Sequence, residues 1–182
     1  MRPHLLPFAA VLLAACGDTI NLPDAQIPNV VDTVSLSALT GTPITLPSAF
    51  SVSTGQPVRT DLSAEFDFAF DIRGGQPVLL PRAALNFPAD GRLPPGLQRV
   101  DEAFEAILEA PSNGYLTRDT LAVAVGERYV ARSRVVCTSL GVPLYGKLEV
   151  LAIDAAARTL TFEVLVDENC GYIGLAPGVP EE

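Results

Sequence analysis

Apolar and polar residues alternate over short segments along most of the chain, a pattern that predicts β-strands. The clearest segment is 63–72, where every second side chain is large and apolar: Phe66, Phe68, Phe70 and Ile72. The other candidate strands are 30–39, 49–60, 77–85, 121–125, 128–136, 145–153 and 159–167. About seven strands separated by turn signals predict a mainly β fold, either a β-sandwich or an open barrel, in one domain spanning residues 30–176.

One segment has the periodicity of a helix. Its apolar residues recur about every 3.6 positions: Leu97, Val100, Phe104, Ile107 and Leu108. Pro95 suits the start of a helix and Pro111 ends one. We therefore expect one amphipathic α-helix over about residues 96–110, packed on a side or an end of the sheet.

The first 18 residues follow a different pattern. Arg2 precedes an uncharged, mostly apolar run from Leu5 to Ala15. This run is too short to cross a bilayer as a helix, but it has the length of the apolar region of a secretory signal. It ends in the tetrad LAAC at residues 13–16, which resembles a lipobox. The segment therefore resembles the signal peptide of bacterial lipoproteins.

This resemblance, which covers residues 1–18, implies that residues 1–15 are cleaved from the chain. It also implies that acyl chains such as palmitate are attached to Cys16, which would make the lipid bilayer a partner. One chain binds a membrane only marginally, whereas two or three together form a stable anchor. Residues 16–29 would then be the lipidated cysteine and a flexible tether, and residues 177–182 a loose tail.

The residue after the cysteine bears on the location. In Gram-negative lipoproteins an Asp at this position tends to retain the protein at the inner membrane. Gly17 stands there instead, so the resemblance implies an exported protein at the outer membrane in such a cell. Two alternatives stay open: cleavage by ordinary signal peptidase, which bulky Leu13 disfavours, and an uncleaved N-terminal core strand.

The composition narrows the chemistry. Removal of residues 1–15 leaves eleven basic and 21 acidic side chains, a net charge of −10, which disfavours nucleic acid as a partner. The single histidine, His4, lies in the predicted signal. The mature chain therefore has no histidine for a Ser-His-Asp triad or a His-ligated metal site. We expect no cofactor, and we favour a protein that is not an enzyme.

Besides Cys16, the mature chain has two cysteines, Cys137 and Cys170. In an exported protein such a pair predicts a disulfide. Closing a loop of this size stabilises a fold by roughly 3 to 4 kcal/mol in the chain-entropy model. The alternative is two separate thiols, one of which would act as a nucleophile without a histidine partner.

An acidic row on the clearest strand is a candidate ligand site. It consists of Glu65, Asp67 and Asp71. Carboxylates that share one face of a strand could hold Ca²⁺ or act as the paired carboxylates of a glycoside hydrolase. The simpler interpretation is a solvated face opposite the phenylalanines.

Three arginines form a second candidate group: Arg128, Arg132 and Arg134. Their planar guanidinium groups could bind an anionic ligand. The simpler interpretation is cross-strand pairing with Glu149 or Glu163.

The sequence leaves three hypotheses about function. The first is a membrane-anchored envelope lipoprotein whose β-rich domain is a non-enzymatic binding or structural module for an unknown ligand or envelope protein. The second is a small carboxylate-dependent hydrolase of envelope polysaccharide, and the third is a carrier of an apolar ligand. A hydrolase needs two carboxylates in one cleft and a carrier needs an apolar cavity, so the folded structure bears on both.

Overall fold

The computed structural model describes residues 22–88 and 93–181, in which ten strands form most of the regular structure. They are β1 (Val31–Ser37), β2 (Ala49–Ser51), β3 (Gln56–Val58), β4 (Phe68–Arg73), β5 (Gln76–Pro81), β6 (Gly96–Val100), β7 (Leu121–Ala122), β8 (Arg128–Cys137), β9 (Val142–Asp154) and β10 (Thr159–Asp167). Two short 3-10 turns, Arg82–Leu85 and Phe104–Ala106, are the helical elements of these residues. Neither has the length or the apolar character that crossing a bilayer requires.

The strands form two antiparallel sheets of five strands each. The first sheet has the order β1-β10-β9-β8-β6, and the second has the order β3-β2-β4-β5-β7. The predicted mainly β architecture is therefore confirmed as two open sheets in a sandwich-like arrangement. The structure has more strands than predicted because a turn divides segment 49–60 into β2 and β3, and because residues 96–100 form β6 instead of part of a helix.

Aromatic side chains from both sheets meet in the core. The ring of Phe50, on β2, lies 5.4 Å from that of Phe68 and 5.5 Å from that of Phe162, on β10. All three side chains are almost completely buried. Burying one such ring contributes about 1.5–3 kcal/mol, so this cluster is a main attachment between the two sheets.

The first sheet is buried on its outer face as well. Along β8, Tyr129 and Ala131 face the core between the sheets, whereas Val130 faces outward. The outward residues form a second apolar cluster with the segments that follow β6 and β10: Phe104, Ile107, Ala110, Val130, Leu165 and Leu175. Backbone hydrogen bonds hold these two segments together, since Leu175 donates to the carbonyl of Leu108.

The α-helix predicted over residues 96–110 is not formed. Gly96–Val100 is instead strand β6, and Leu97 is fully buried in the core between the sheets. The remaining apolar positions divide between two environments, because Phe104 and Ile107 pack on the outer face of the sheet while Leu108 is 57% exposed. The apolar pattern correctly marked residues that contact the sheet but misled on their conformation.

Hydrogen bonds to other segments replace those of a helix here. The side chain of Lys147 donates to the carbonyl of Ile107. Pairing of β6 with β8 supplies the hydrogen bonds that helical residues 96–100 would have made among themselves.

Residues 22–29, which the sequence assigns to the tether, contact the domain. Five hydrogen bonds hold the backbone of residues 23–27, three with the side chain of Asn169 and two with the hydroxyl of Tyr172. Residues 23–27 are therefore part of the folded domain. The predicted cleavage site and Cys16 lie outside the described residues.

The segment predicted as a loose tail is also bonded to the domain. Gly178 and Asn29 exchange two backbone hydrogen bonds of 2.7 and 3.0 Å. The side-chain amide of Asn29 donates to the carbonyls of Gly174 and Ala176 as well. The two ends of the described chain thus support each other.

Cys137 and Cys170 form the predicted disulfide, with their Cα atoms 5.6 Å apart. The bond joins the last residue of β8 to the segment that follows β10. It fixes the position of the turn that holds residues 23–27, and it removes the alternative of a reactive free thiol.

Candidate functional site

The acidic row is divided between water and the interior. The Glu65 side chain is 72% exposed, whereas Asp67 and Asp71 are each 1% exposed. The prediction of a solvated face is therefore wrong for the two aspartates. Ala69, which lies between them in the chain, is buried in a small apolar cluster with Ala49 and Phe66.

Asp67 forms a bridge between the two sheets. Its carboxylate accepts from the N–H groups of Val52 and Arg134 at 2.8 Å each, and from Nε of Arg134 at 3.3 Å. Arg134 lies where β8 loses regular register with β9, and its guanidinium also binds Glu65. Burial raises the pKa of Asp67, and the donors from Arg134 and Val52 oppose that rise.

Asp71 fixes the loop that follows β1. One carboxylate oxygen accepts from the N–H and hydroxyl of Thr40 at 3.1 and 2.8 Å and from the N–H of Ile72 at 2.9 Å. Arg73 pairs with the other oxygen at 3.3 Å. Burial acts to raise the pKa of Asp71, but the hydrogen bonds from Thr40 and Ile72 outweigh it, so the pKa is lowered.

The three candidate arginines do not form one anion site, because each has a separate protein partner. Arg128 pairs with Glu149 at 3.5 Å, the cross-strand contact that the sequence suggested. Arg132 donates twice to the carbonyl of Pro94 and lies 4.4 Å above the ring of Tyr115. Arg134 is taken up by the bridge between the sheets.

The described residues hold no group of three or more His, Cys, Asp or Glu side chains that could bind a metal ion. The acidic row therefore does not assemble into a calcium site. Of its members, Glu65 alone faces water, and Arg134 already binds its carboxylate. These residues stabilise the fold.

An exposed apolar surface lies beside the cluster that covers the first sheet. Two clefts of about 380 and 310 Å³ meet there and share Leu108 and Glu109. We call this region the Leu108 surface. Its apolar lining consists of Val100, Ala106, Ile107, Leu108, Pro111 and Val130 in the first cleft and Ala176, Pro177, Val179 and Pro180 in the second.

Three carboxylate side chains also line the two clefts: Glu102, Glu109 and Glu181. Leu108 itself is 57% exposed and Val179 is 52% exposed. Large apolar side chains that are exposed next to one another are typical of sites that bind a ligand or a partner. The Leu108 surface thus combines apolar side chains with negative charge.

The only lysine of the chain supports this surface from below. Lys147 is 1% exposed, and its Nζ donates to the carbonyls of Phe104 and Ile107 at 2.8 and 3.0 Å. Burial lowers the pKa of Lys147, and the charges of Glu105 and Glu163 partly oppose this. Lys147 thereby holds the 3-10 turn Phe104–Ala106 on the sheet.

Sequence reasoning named Lys147 as the sole lysine that could act as an acid or base, but it predicted neither its buried role nor the Leu108 surface. The available signal was a lone lysine in a predicted strand that is otherwise mainly apolar; in the structure it pairs with Val130 and Leu165 on the neighbouring strands. A charged residue at such a position predicts a buried partner, but the two carbonyls that it binds belong to a distant segment and have no sequence signature.

Comparisons with protein-family models, with curated proteins and with solved structures find no match to this chain.

Proposed function

We propose that this protein is a cell-envelope lipoprotein, anchored to a membrane by acyl chains on Cys16, whose β-rich domain is a non-enzymatic binding or structural module. The anchor is supported by the lipobox at residues 13–16 and the apolar run before it. The disulfide supports export, because such bonds persist in oxidising compartments and are rare in the cytosol. Gly17 favours the outer membrane in a Gram-negative cell.

The binding role rests on one observation. The charged residues that could have carried chemistry are bonded within the fold, while the Leu108 surface combines exposed apolar side chains with three carboxylates. Burying such a surface against a partner would remove apolar area from water, which stabilises a complex by about 25 cal/mol per Å². The surface is therefore the part of the described domain that is best suited to recognition.

The same geometry gives the two alternatives less support. A glycoside hydrolase requires two carboxylates roughly 5–10 Å apart in one cleft, and Asp67 and Asp71 are instead buried and bonded. A carrier with a cavity between sheet and helix lacks the helix, and Phe104 and Ile107 fill that side of the sheet.

Replacing the lipid-bearing residue tests the anchor. The wild-type protein should fractionate with membranes, and mass spectrometry of its N-terminal peptide should show acylated Cys16 with residues 1–15 removed. The variant Cys16→Ser should lose both properties, whereas Gly17→Asp should stay acylated but move to the inner membrane of a Gram-negative host. If the wild type and Cys16→Ser both pellet with membranes as uncleaved chains without acyl groups, the anchor is disproved.

Site-specific crosslinking in intact cells tests the binding role. A photoreactive amino acid at Leu108 should give a discrete adduct that is weakened by Glu109→Lys. The matched control is Leu151, which is similarly exposed at 42% but lies on β9, outside the Leu108 surface. Equal adducts at both positions, or none at Leu108, would contradict a binding role for this surface.

A further inference from the structure

The described chain begins at the end of the domain that carries the disulfide. A Cβ placed on Gly171, next to Cys170, would lie 2.5 Å from Leu22 Cδ2 and 3.4 Å from Leu140 Cδ1, so these residues are neighbours. Leu140 belongs to the turn 138–141 between β8 and β9. We call the region formed by Leu22, Ile27, this turn and the disulfide the mooring end.

The distance from the predicted anchor to the mooring end is limited by the chain itself. Six peptide units separate Cys16 from Leu22, and they span at most about 20 Å when fully extended. Residues 23–27 add no reach because five hydrogen bonds from Asn169 and Tyr172 hold them on the domain. A lipid on Cys16 therefore keeps the mooring end within about 20 Å of the head groups.

The opposite end of the sheet lies well beyond that reach. Strand β9 has 13 residues and runs from the mooring end to the turn 155–158. At about 3.3 Å per residue, this places the two turns roughly 40 Å apart. A domain held by so short a tether cannot present its two ends to the membrane equally.

The chemistry of the mooring end suits a bilayer surface with no net charge. Leu140 is 37% exposed and Ile27 is 45% exposed, and a cleft of about 340 Å³ opens beside Ile27. Asp24 and Glu168 line the same cleft, so anionic head groups would be repelled.

We propose that the mooring end rests against the zwitterionic head groups of the membrane that holds the anchor, with the turn 155–158 pointing away from it. This inference depends on the lipidation of Cys16 proposed above. The membrane would then contact the mooring end of the domain in addition to holding the acyl chains.

Tryptophan fluorescence provides the test, because the chain contains no tryptophan. Single tryptophans are introduced at Ser139 and Leu140 in the mooring end, and at Ala156 in the opposite turn; Ser139 and Ala156 are both exposed. Each lipidated protein is purified from membranes and reconstituted into phosphatidylcholine vesicles that contain phosphatidylcholine with a nitroxide on its head group. We expect quenching at Ser139→Trp and Leu140→Trp to be several-fold stronger than at Ala156→Trp.

The outcomes separate this inference from the anchor itself. Equal quenching at the two ends, or stronger quenching at Ala156→Trp, in protein that floats with vesicles and carries acylated Cys16 would overturn the orientation and leave the anchor intact. Protein that neither floats nor carries lipid would overturn the anchor, and the orientation with it. Quenching that persists in Ser139→Trp after Cys16→Ser would show that the short tether does not impose the orientation.

Discussion

The bridge between the sheets contains two carboxylates that bind the same arginine but differ in how far they are buried. Glu65 and Asp67 both pair with Arg134, but the Glu65 side chain is 72% exposed and that of Asp67 is 1% exposed. Asp67→Ala leaves the buried N–H groups of Val52 and Arg134 without an acceptor and removes one partner of a mostly buried guanidinium. Glu65→Ala removes a contact that water can replace.

The two substitutions should differ strongly in their effect on the free energy of unfolding. An unsatisfied buried polar group costs about 1–3 kcal/mol, and breaking a buried ion pair costs about 3–5 kcal/mol. We therefore expect Asp67→Ala to destabilise the domain by about 3–5 kcal/mol, a large part of the 5–15 kcal/mol typical of a domain. Glu65→Ala should cost at most about 1 kcal/mol, as exposed pairs do.

Urea unfolding followed by circular dichroism measures both values, with the disulfide intact in every variant. Asp67→Asn, which keeps one acceptor oxygen, should fall between the two alanine variants. If Asp67→Ala and Glu65→Ala lower the unfolding midpoint equally, burial does not decide the worth of these contacts and the bridge has no special role.

Three further predictions concern Lys147, the disulfide and Asp71. Lys147→Met removes the donor to two buried carbonyls and should lower the free energy of unfolding in urea by about 1–3 kcal/mol. In the folded protein Lys147 should resist acylating reagents that modify it after unfolding. Rapid labelling of the folded protein would contradict the burial of Lys147. Replacing Cys137 and Cys170 by serine should cost about 3–4 kcal/mol, and an unchanged melting temperature would show that the crosslink adds no stability. Because the folded-state pKa of Asp71 is lowered, its contribution is present above the unfolded pKa of about 4 and is lost as the pH falls through the folded value. Asp71→Asn should therefore be less stable at pH 7 and lose less stability on acidification, and parallel pH profiles would refute this.

The predictions from sequence succeeded where a local pattern and the tertiary contact agree. Residues 68–72 alternate because one face of the strand meets the core, and that relation holds for Phe68, Phe70 and Ile72, whereas Phe66 packs in a separate cluster with Ala69. The cysteine pair was similarly readable, because an exported chain with two cysteines has few other uses for them.

The prediction of a helix over residues 96–110 was wrong because periodic apolar residues indicate contact with a core but do not determine the backbone conformation. Leu97 is buried in one core and Phe104 in another, on opposite faces of the first sheet, so no single helix face could have served both. Pairing of β6 with β8, more than 25 residues away in the chain, decided the outcome.

By itself, the sequence determined the mainly β character of the domain, the disulfide and the lipobox on which the proposed anchor depends. Each of these can be recognised from adjacent residues or from a count of residue types. Tertiary structure alone decided that Asp67 is a buried bridge and that Lys147 supports the Leu108 surface. The reason is physical: whether a charge is solvated or buried depends on the segments that fold over it, and those segments lie far away in the chain.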